Sequence, residues 1–230
     1  MRQDLRHAAI AGTAAVLVAV CAAGCGSPSN SASSGNKGQG PSYPSSAAPV
    51  VVGQTTSQGL RSKPIQPVSE LVKNPEAELV IEGTVRSVSY TMLGDAIPST
   101  IMEVAVIRSR GTAPDLIRVY ESGGLIPVSD LPESDRNKLT AVDGKPMPTN
   151  AVFDHLGAGA APHPRVGDVV VLFLHRFSGP GVEGLAFAGI DATYTRFTKV
   201  ADGSYVRAGK DDGVDQVLNE AQLATALRVS

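Results

Sequence analysis

Three histidines and a neighbouring carboxylate are the side chains in this sequence best suited to chemistry. Asp154 and His155 are adjacent, and His163 follows eight residues later. Two imidazoles and a carboxylate could hold zinc, but the spacing matches no familiar metal motif and favours solvated loop residues. His175 lies near the end of an apolar stretch. It could face a pocket as a base, but an exposed rim position or a polar partner fits this location better.

A serine and a group of aspartates offer two further possibilities. Ser122 precedes two glycines, but acyl transfer needs a positioned base and oxyanion donors, and no Gly-x-Ser-x-Gly or Ser-x-x-Lys pattern supports it. A turn that ends a strand fits better. Asp211, Asp212 and Asp215 lack the spacing of an EF-hand, and acids before a helix are ordinary complements of its dipole. We therefore expect no catalytic, metal or cofactor site, and no enzyme.

Cys25 has a different chemistry, because its thiol can accept lipid. Two arginines stand near the N-terminus, and thirteen mostly apolar residues run from Ala8 to Val20. A membrane-spanning helix needs about 20 such residues, so this run has the length of a secretory signal. The residues Ala22-Ala23-Gly24 before the cysteine resemble the lipobox of bacterial lipoproteins, although Ala22 replaces the usual leucine. That resemblance implies lipid transfer to the thiol and cleavage before Cys25.

Residues 1–24 are thus expected to be a lipoprotein signal peptide. The alternatives are an ordinary secretory signal and an uncleaved membrane anchor. Lipid on Cys25 would hold the mature chain on the extracytoplasmic face of the cell membrane. Because Cys21 leaves with the signal, the mature chain would contain no disulfide.

Charge argues against one class of partner. The signal removes two arginines and one aspartate, so a formal net charge of −2 becomes −3 in the mature chain. The sequence has no tryptophan and few other aromatic residues. We therefore do not expect nucleic acid as a partner.

Composition predicts a boundary near residue 63. Residues 26–60 are rich in Ser, Gly and Pro and carry one charge, Lys37. Such a segment buries too little apolar area to offset its ordering entropy. We expect residues 25–63 to form a lipidated, disordered tether with a reach of about 30–35 Å.

Residues 64–230 alternate in a way typical of a β domain. Strands are predicted over 78–90, 100–108, 116–121, 168–177, 183–190, 194–200 and 204–207, with a helix after Asn219. A phase slip near Gly83 predicts a bulge. The run 168–177 is apolar at successive positions, which indicates a central strand covered on both faces. Between residues 123 and 167, six prolines interrupt the pattern and predict a long loop insertion, with a short helix over 132–138.

Three phrases carry a family resemblance: ELVIEGTVRSV (78–88), IRVYESGG (117–124) and VGDVVVLFL (166–174). Together they resemble a group of bacterial secreted and lipid-anchored β domains of actinobacterial type, over about residues 77–207. The resemblance implies a small OB-like, five-stranded barrel similar to metalloproteinase-inhibitor-type domains, here with an extra hairpin and a C-terminal helix. In those inhibitors a terminal cysteine touches the protease metal and disulfides brace the barrel. Cys25 lies behind the predicted tether, so that activity does not carry over.

These observations favour a non-enzymatic binding or envelope-interaction module. Its partners would be the membrane, through Cys25, and an envelope protein or cell-wall component. A rigid barrel that displays a long loop is a common recognition layout, so the surface is expected in 123–167. The alternatives are an envelope hydrolase that uses His155 or His163 and a purely structural cell-wall lipoprotein.

Overall fold

Strands make up most of the regular structure in this chain. The computed structural model describes residues 48–56, 64–93, 97–137, 139, 145–179, 181–210 and 213–228. The strands are β1 (Val50–Thr56), β2 (Leu79–Leu93), β3 (Ile97–Arg110), β4 (Leu116–Ser122), β5 (Gly124–Pro127), β6 (Ala151–Leu156), β7 (Val169–Phe177), β8 (Ala186–Thr193), β9 (Arg196–Lys199), β10 (Tyr205–Arg207) and β11 (Val217–Leu218). The α-helices are α1 (Val68–Leu71), α2 (Glu133–Arg136) and α3 (Glu220–Leu227). The predicted mainly β class with a C-terminal helix is confirmed.

The larger sheet in the described part of the chain has the order β11-β10-β9-β7-β2-β3-β4-β8. Neighbouring strands are antiparallel, apart from β4 and β8, which are parallel. β7 also pairs with β8, with Leu174 opposite Gly189. The pairings therefore form a closed circuit of five strands. In this circuit β7 pairs with β2, β2 with β3, β3 with β4, β4 with β8, and β8 again with β7.

Two apolar clusters hold this sheet together. The first takes side chains from all five strands of that circuit, namely Leu79, Ile81, Val85, Met102, Val104, Ile117, Val119, Val170, Leu172, Leu174 and Phe187. The second joins the opposite face of the sheet to α1 and α3, through Val68, Leu71, Val80, Val171, Phe173, Phe197, Tyr205, Leu218, Leu223 and Ala226 among others. Each cluster buries its side chains almost completely, which is the main source of stability in a chain of this kind.

β7 serves both clusters because its apolar residues are continuous. Successive side chains of a strand point to opposite faces. Val170 and Leu172 therefore belong to the first cluster, and Val171 and Phe173 to the second. The predicted central strand, covered on both faces, is confirmed.

The predicted bulge near Gly83 is also confirmed. The register between β2 and β3 shifts between Glu82 and Gly83, and again between Val85 and Ser87. A Cβ atom on Gly83 would lie 2.5 Å from Val104 Cγ1. Glycine lets the two strands approach this closely where the register changes.

α3 begins with the predicted capping box. The Asn219 side chain accepts a hydrogen bond from the Gln222 amide at 2.9 Å, and the Gln222 side chain accepts one from the Asn219 amide at 2.9 Å. These bonds satisfy two donors that a helix start leaves open. Leu223 and Ala226 then face the second cluster.

A second sheet corrects two predictions. It has the order β1-β6-β5, with β1 parallel and β5 antiparallel to β6. A disordered tether over 25–63 is wrong for Val50–Thr56, which form β1. An irregular loop over 123–167 is wrong as well, because it contains β5, β6 and, as predicted, a short helix, α2. The signal peptide, Cys25 and the rest of the tether lie outside the described residues, except for residues 48 and 49.

The reason for both errors is long-range pairing. Three consecutive valines open β1, but the Ser/Gly composition around them masks their β propensity. Their partner β6 lies about 100 residues further along the chain. No local pattern reveals such a pairing.

Candidate functional site

Two of the residues considered as metal ligands, Asp154 and His163, form a hydrogen bond beside the second sheet. His163 lies between β6 and β7, and its Nε2 is 2.8 Å from Asp154 Oδ1 in β6. The other carboxylate oxygen accepts a hydrogen bond of 2.8 Å from Gln54 Nε2 in β1. The side chains of His163 and Asp154 are 17% and 13% exposed. Asp154 and His163 are therefore not the solvated loop residues that the sequence predicts.

Tyr90 adds an aromatic wall to this group. Its ring meets the His163 ring edge-on, with centroids 5.4 Å apart. Burial raises the pKa of Tyr90, and the nearby charge of Asp154 adds to this effect, so the phenol stays neutral. Gly124 leaves room for the ring, since a Cβ there would lie 3.1 Å from Tyr90 Cδ1.

The other histidines do not join this pair. His155 follows Asp154 in β6, and successive side chains alternate between the faces of a strand. Burial lowers the pKa of His155, the charge of Asp154 opposes this shift, and His163 reinforces it. His175 is half-buried near the end of β7. Within the described residues, no group of three or more His, Cys, Asp or Glu side chains is placed to hold a metal ion.

The remaining predicted site residues are dispersed. Ser122 ends β4, as predicted, and Gly123 after it adopts a φ of 93° before β5 begins at Gly124. Asp215 is exposed, and its backbone oxygen accepts a bond of 3.3 Å from Arg207 Nε. Asp211 and Asp212 lie outside the described residues. No helix in the described part of the chain is long and apolar enough to cross a membrane.

A buried ion pair that was not predicted binds both ends of the insertion. Arg196 Nε in β9 lies 3.0 Å from each carboxylate oxygen of Glu121 in β4. Arg196 Nη2 donates to the Pro162 carbonyl at 2.6 Å. Glu121 lies two residues before the insertion and Pro162 lies near its end, so one guanidinium binds both. A charge at an inward strand position is the signal that could have revealed the pair.

A second buried carboxylate joins three strands of the larger sheet. Glu82 in β2 accepts hydrogen bonds from the Tyr205 hydroxyl and from Arg108 Nε. Burial alone would raise the pKa of Glu82, but these two bonds and the charge of Arg108 hold it below its usual value. Glu82 and Tyr205 are buried, and we assign the group to stability.

One cleft opens between the insertion and the larger sheet. We call it the insertion cleft; it has a volume of about 300 Å³ and is lined by Tyr90, Thr91, Met92, Leu125, Ile126, Pro127 and Asp130. A wider depression of about 570 Å³ lies beside α1, but apart from Pro75 its lining is polar. Ligand sites are mostly apolar with a few polar groups. The insertion cleft fits that description better.

Comparisons with protein-family models, with curated proteins and with solved structures found no match to this chain.

Proposed function

We propose that this chain is a lipid-anchored extracytoplasmic protein whose OB-like barrel carries the second sheet as a binding module. The circuit of pairings through β7, β2, β3, β4 and β8 supports the barrel. So does the parallel pairing of β4 with β8, which follows an antiparallel meander of three strands. The apolar cluster that takes residues from all five strands has the composition of a barrel interior.

The sequence before β1 supports the anchor. A cationic start, a short apolar run and three small residues lead to Cys25. Two acyl chains at this position would hold the protein stably on a membrane, since each buried CH₂ contributes about 0.8 kcal/mol. The 24 residues between Cys25 and Val50 would then separate the lipid from the first strand.

The insertion cleft is the observation that carries the binding function. Its walls come from two separate parts of the chain, the end of β2 and β5, which meet because the insertion folds into a sheet. Half-buried apolar side chains, Met92, Leu125 and Pro127, line it beside the phenol of Tyr90. Exposed apolar surface in a concave site gains free energy when a partner removes it from water.

Photo-cross-linking in intact cells tests this function. A benzophenone side chain replaces Leu125 in the full-length chain. In a matched variant it replaces Asp115, an exposed residue between β3 and β4. We expect a discrete adduct from position 125, weakened when Met92 is also changed to Asp, and none of that mass from position 115. Equal adducts from both positions, or none from either, would contradict a binding cleft.

The anchor has its own test. The Cys25→Ser variant should be found in the medium or remain unprocessed, whereas the unaltered chain should stay with the membrane and carry the mass of residues 25–230 plus lipid. A Cys21→Ser variant is the matched control and should behave like the unaltered chain. Membrane retention of Cys25→Ser with unchanged mass would contradict the lipid anchor.

One observation favours a second candidate, an envelope hydrolase. Asp154 and His163 are hydrogen-bonded, as a base and its orienting carboxylate would be. However, the Asp154 carboxylate is hydrogen-bonded to His163 Nε2 and also accepts a hydrogen bond from Gln54. The imidazole ring packs against Tyr90. Hydrolysis of a generic ester substrate that is abolished in His163→Gln, but retained in His175→Gln, would establish this function in place of the first.

A further inference from the structure

The charge and apolar character of the insertion cleft indicate what class of ligand it takes. Two of its walls are apolar, from Met92 on one side and from Leu125 and Pro127 on the other, and these side chains remain half-exposed. Ile126 behind them is buried at 5% exposure. A ligand must therefore present an apolar group if it is to displace water from these walls.

A carboxylate stands on the rim beside β5. A 3₁₀ turn, Val128–Asp130, and helix α2 follow β5 directly. Arg136 Nη1 donates to the Ser129 carbonyl at 3.1 Å. Asp130 itself lines the cleft and is exposed, and its Oδ1 accepts a bond of 2.9 Å from Ser129 Oγ.

Tyr90 adds an aromatic ring to the lining of the cleft. Its ring is held in place by the edge-on contact with His163. The face of a phenol ring attracts a cation within about 6 Å. A positive group bound in the cleft would therefore be attracted both by the ring of Tyr90 and by the carboxylate of Asp130, which line it.

We propose that the insertion cleft binds an extended peptide segment in which an apolar side chain stands next to a lysine or arginine. This inference rests on the proposed binding function and specifies its ligand. A volume of about 300 Å³ lies at the lower end of ligand sites and suits a short segment. Asp130, the charged residue in the lining of the cleft, selects the sign of the flanking charge.

A titration with short peptides tests the class directly. The protein is the mature chain with Cys25→Ser, labelled with ¹⁵N, and the probe is the N-acetylated peptide Lys-Leu-Pro-Lys-Gly at up to about 1 mM. Two matched probes replace both lysines with glutamate or the leucine with serine. We expect only the first probe to shift the amide signals of Thr91, Met92 and Leu125. Added salt should weaken its binding, since exposed charges are screened.

Two charge variants complete the test. Asp130→Asn should weaken binding of the lysine peptide about threefold, the effect of losing one exposed charge pair. Asp115→Asn, which lies outside the cleft, should leave it unchanged. Equal binding of the glutamate probe, or no effect of Asp130→Asn, would overturn the ligand class while the cleft remained a binding site.

The remaining outcomes are also decisive. Equal binding of the serine probe would overturn the role of the apolar walls. If no probe shifts these signals at about 1 mM, the ligand class is overturned. The proposed function would then stand or fall separately, on the cross-linking from position 125 in cells.

Discussion

The buried pair of Glu121 and Arg196 provides the sharpest prediction about stability. Changing Glu121 to Gln keeps the shape of the side chain but removes its charge. Arg196 is then left without its counter-charge at a site where both side chains are almost fully buried, with 2% and 4% exposed. Removing one partner of such a pair costs about 3–5 kcal/mol, and because Gln keeps an acceptor oxygen we expect about 3 kcal/mol.

Urea unfolding measures this cost. With a slope of about 2 kcal/mol per molar urea, the midpoint should fall by about 1.5 M. The matched control is Glu103→Gln, which alters a surface pair with Arg118 at 3.7 Å whose side chains are 38% and 42% exposed. That change should alter the unfolding free energy by less than about 0.5 kcal/mol.

A double variant separates pairing from packing. Arg196→Met alone and Glu121→Leu alone should each destabilise the protein at least as much as Glu121→Gln, because each leaves one charge unpaired. Glu121→Leu combined with Arg196→Met should cost less than the sum of the two single changes. If Glu121→Gln lies within about 1 kcal/mol of the unaltered protein, or if the single changes simply add, the pair does not hold the insertion as we infer.

Three other changes test separate parts of the fold. Asn219→Ala removes one half of the capping box and should lower the unfolding free energy by about 1 kcal/mol, measured in urea; no loss would mean that α3 does not depend on its cap. Gly83→Ala places a Cβ 2.5 Å from Val104 Cγ1 and should destabilise by about 1–3 kcal/mol, and a neutral result would contradict the close strand approach. Because burial lowers the pKa of His155 below 6.5, its unfolded form takes up a proton first, so stability should fall as the pH drops through about 6.5. The melting temperature of His155→Asn should therefore fall less than that of the unaltered protein between about pH 7.5 and about pH 5.5, and identical profiles would refute the assignment.

Local sequence patterns correctly predicted those features of the fold whose physical cause lies within a few neighbouring residues. The continuous apolar run of β7, the slip at Gly83 and the pair Asn219 and Gln222 each predicted a feature that the structure confirms. In these cases the physical cause acts within one strand or one helical turn. Alternation, glycine placement and capping can be recognised from a few neighbouring residues.

The geometry of the candidate site depends on contacts that are distant in sequence, which local patterns do not reveal. β1 pairs with a strand about 100 residues away, and Arg196 meets Glu121 across 75 residues. Asp154 and His163 were identified as candidates, but nothing in their spacing showed that Gln54 and Tyr90 would enclose them. Prolines and serines suggested loops, whereas the final pairing partners decided which residues became strands.

Labelling of engineered cysteines with a membrane-impermeant maleimide tests the central claim most directly, because it reports lipidation, location and occupancy together. In intact cells we expect no labelling of the unaltered chain, whose only mature thiol would carry lipid. Asp115→Cys should be labelled, and Leu125→Cys much less so than in the purified protein, where both should react. If Asp115→Cys is unreactive in intact cells, or if Leu125→Cys reacts as readily in cells as after purification, then an anchored extracytoplasmic module with an occupied cleft is contradicted.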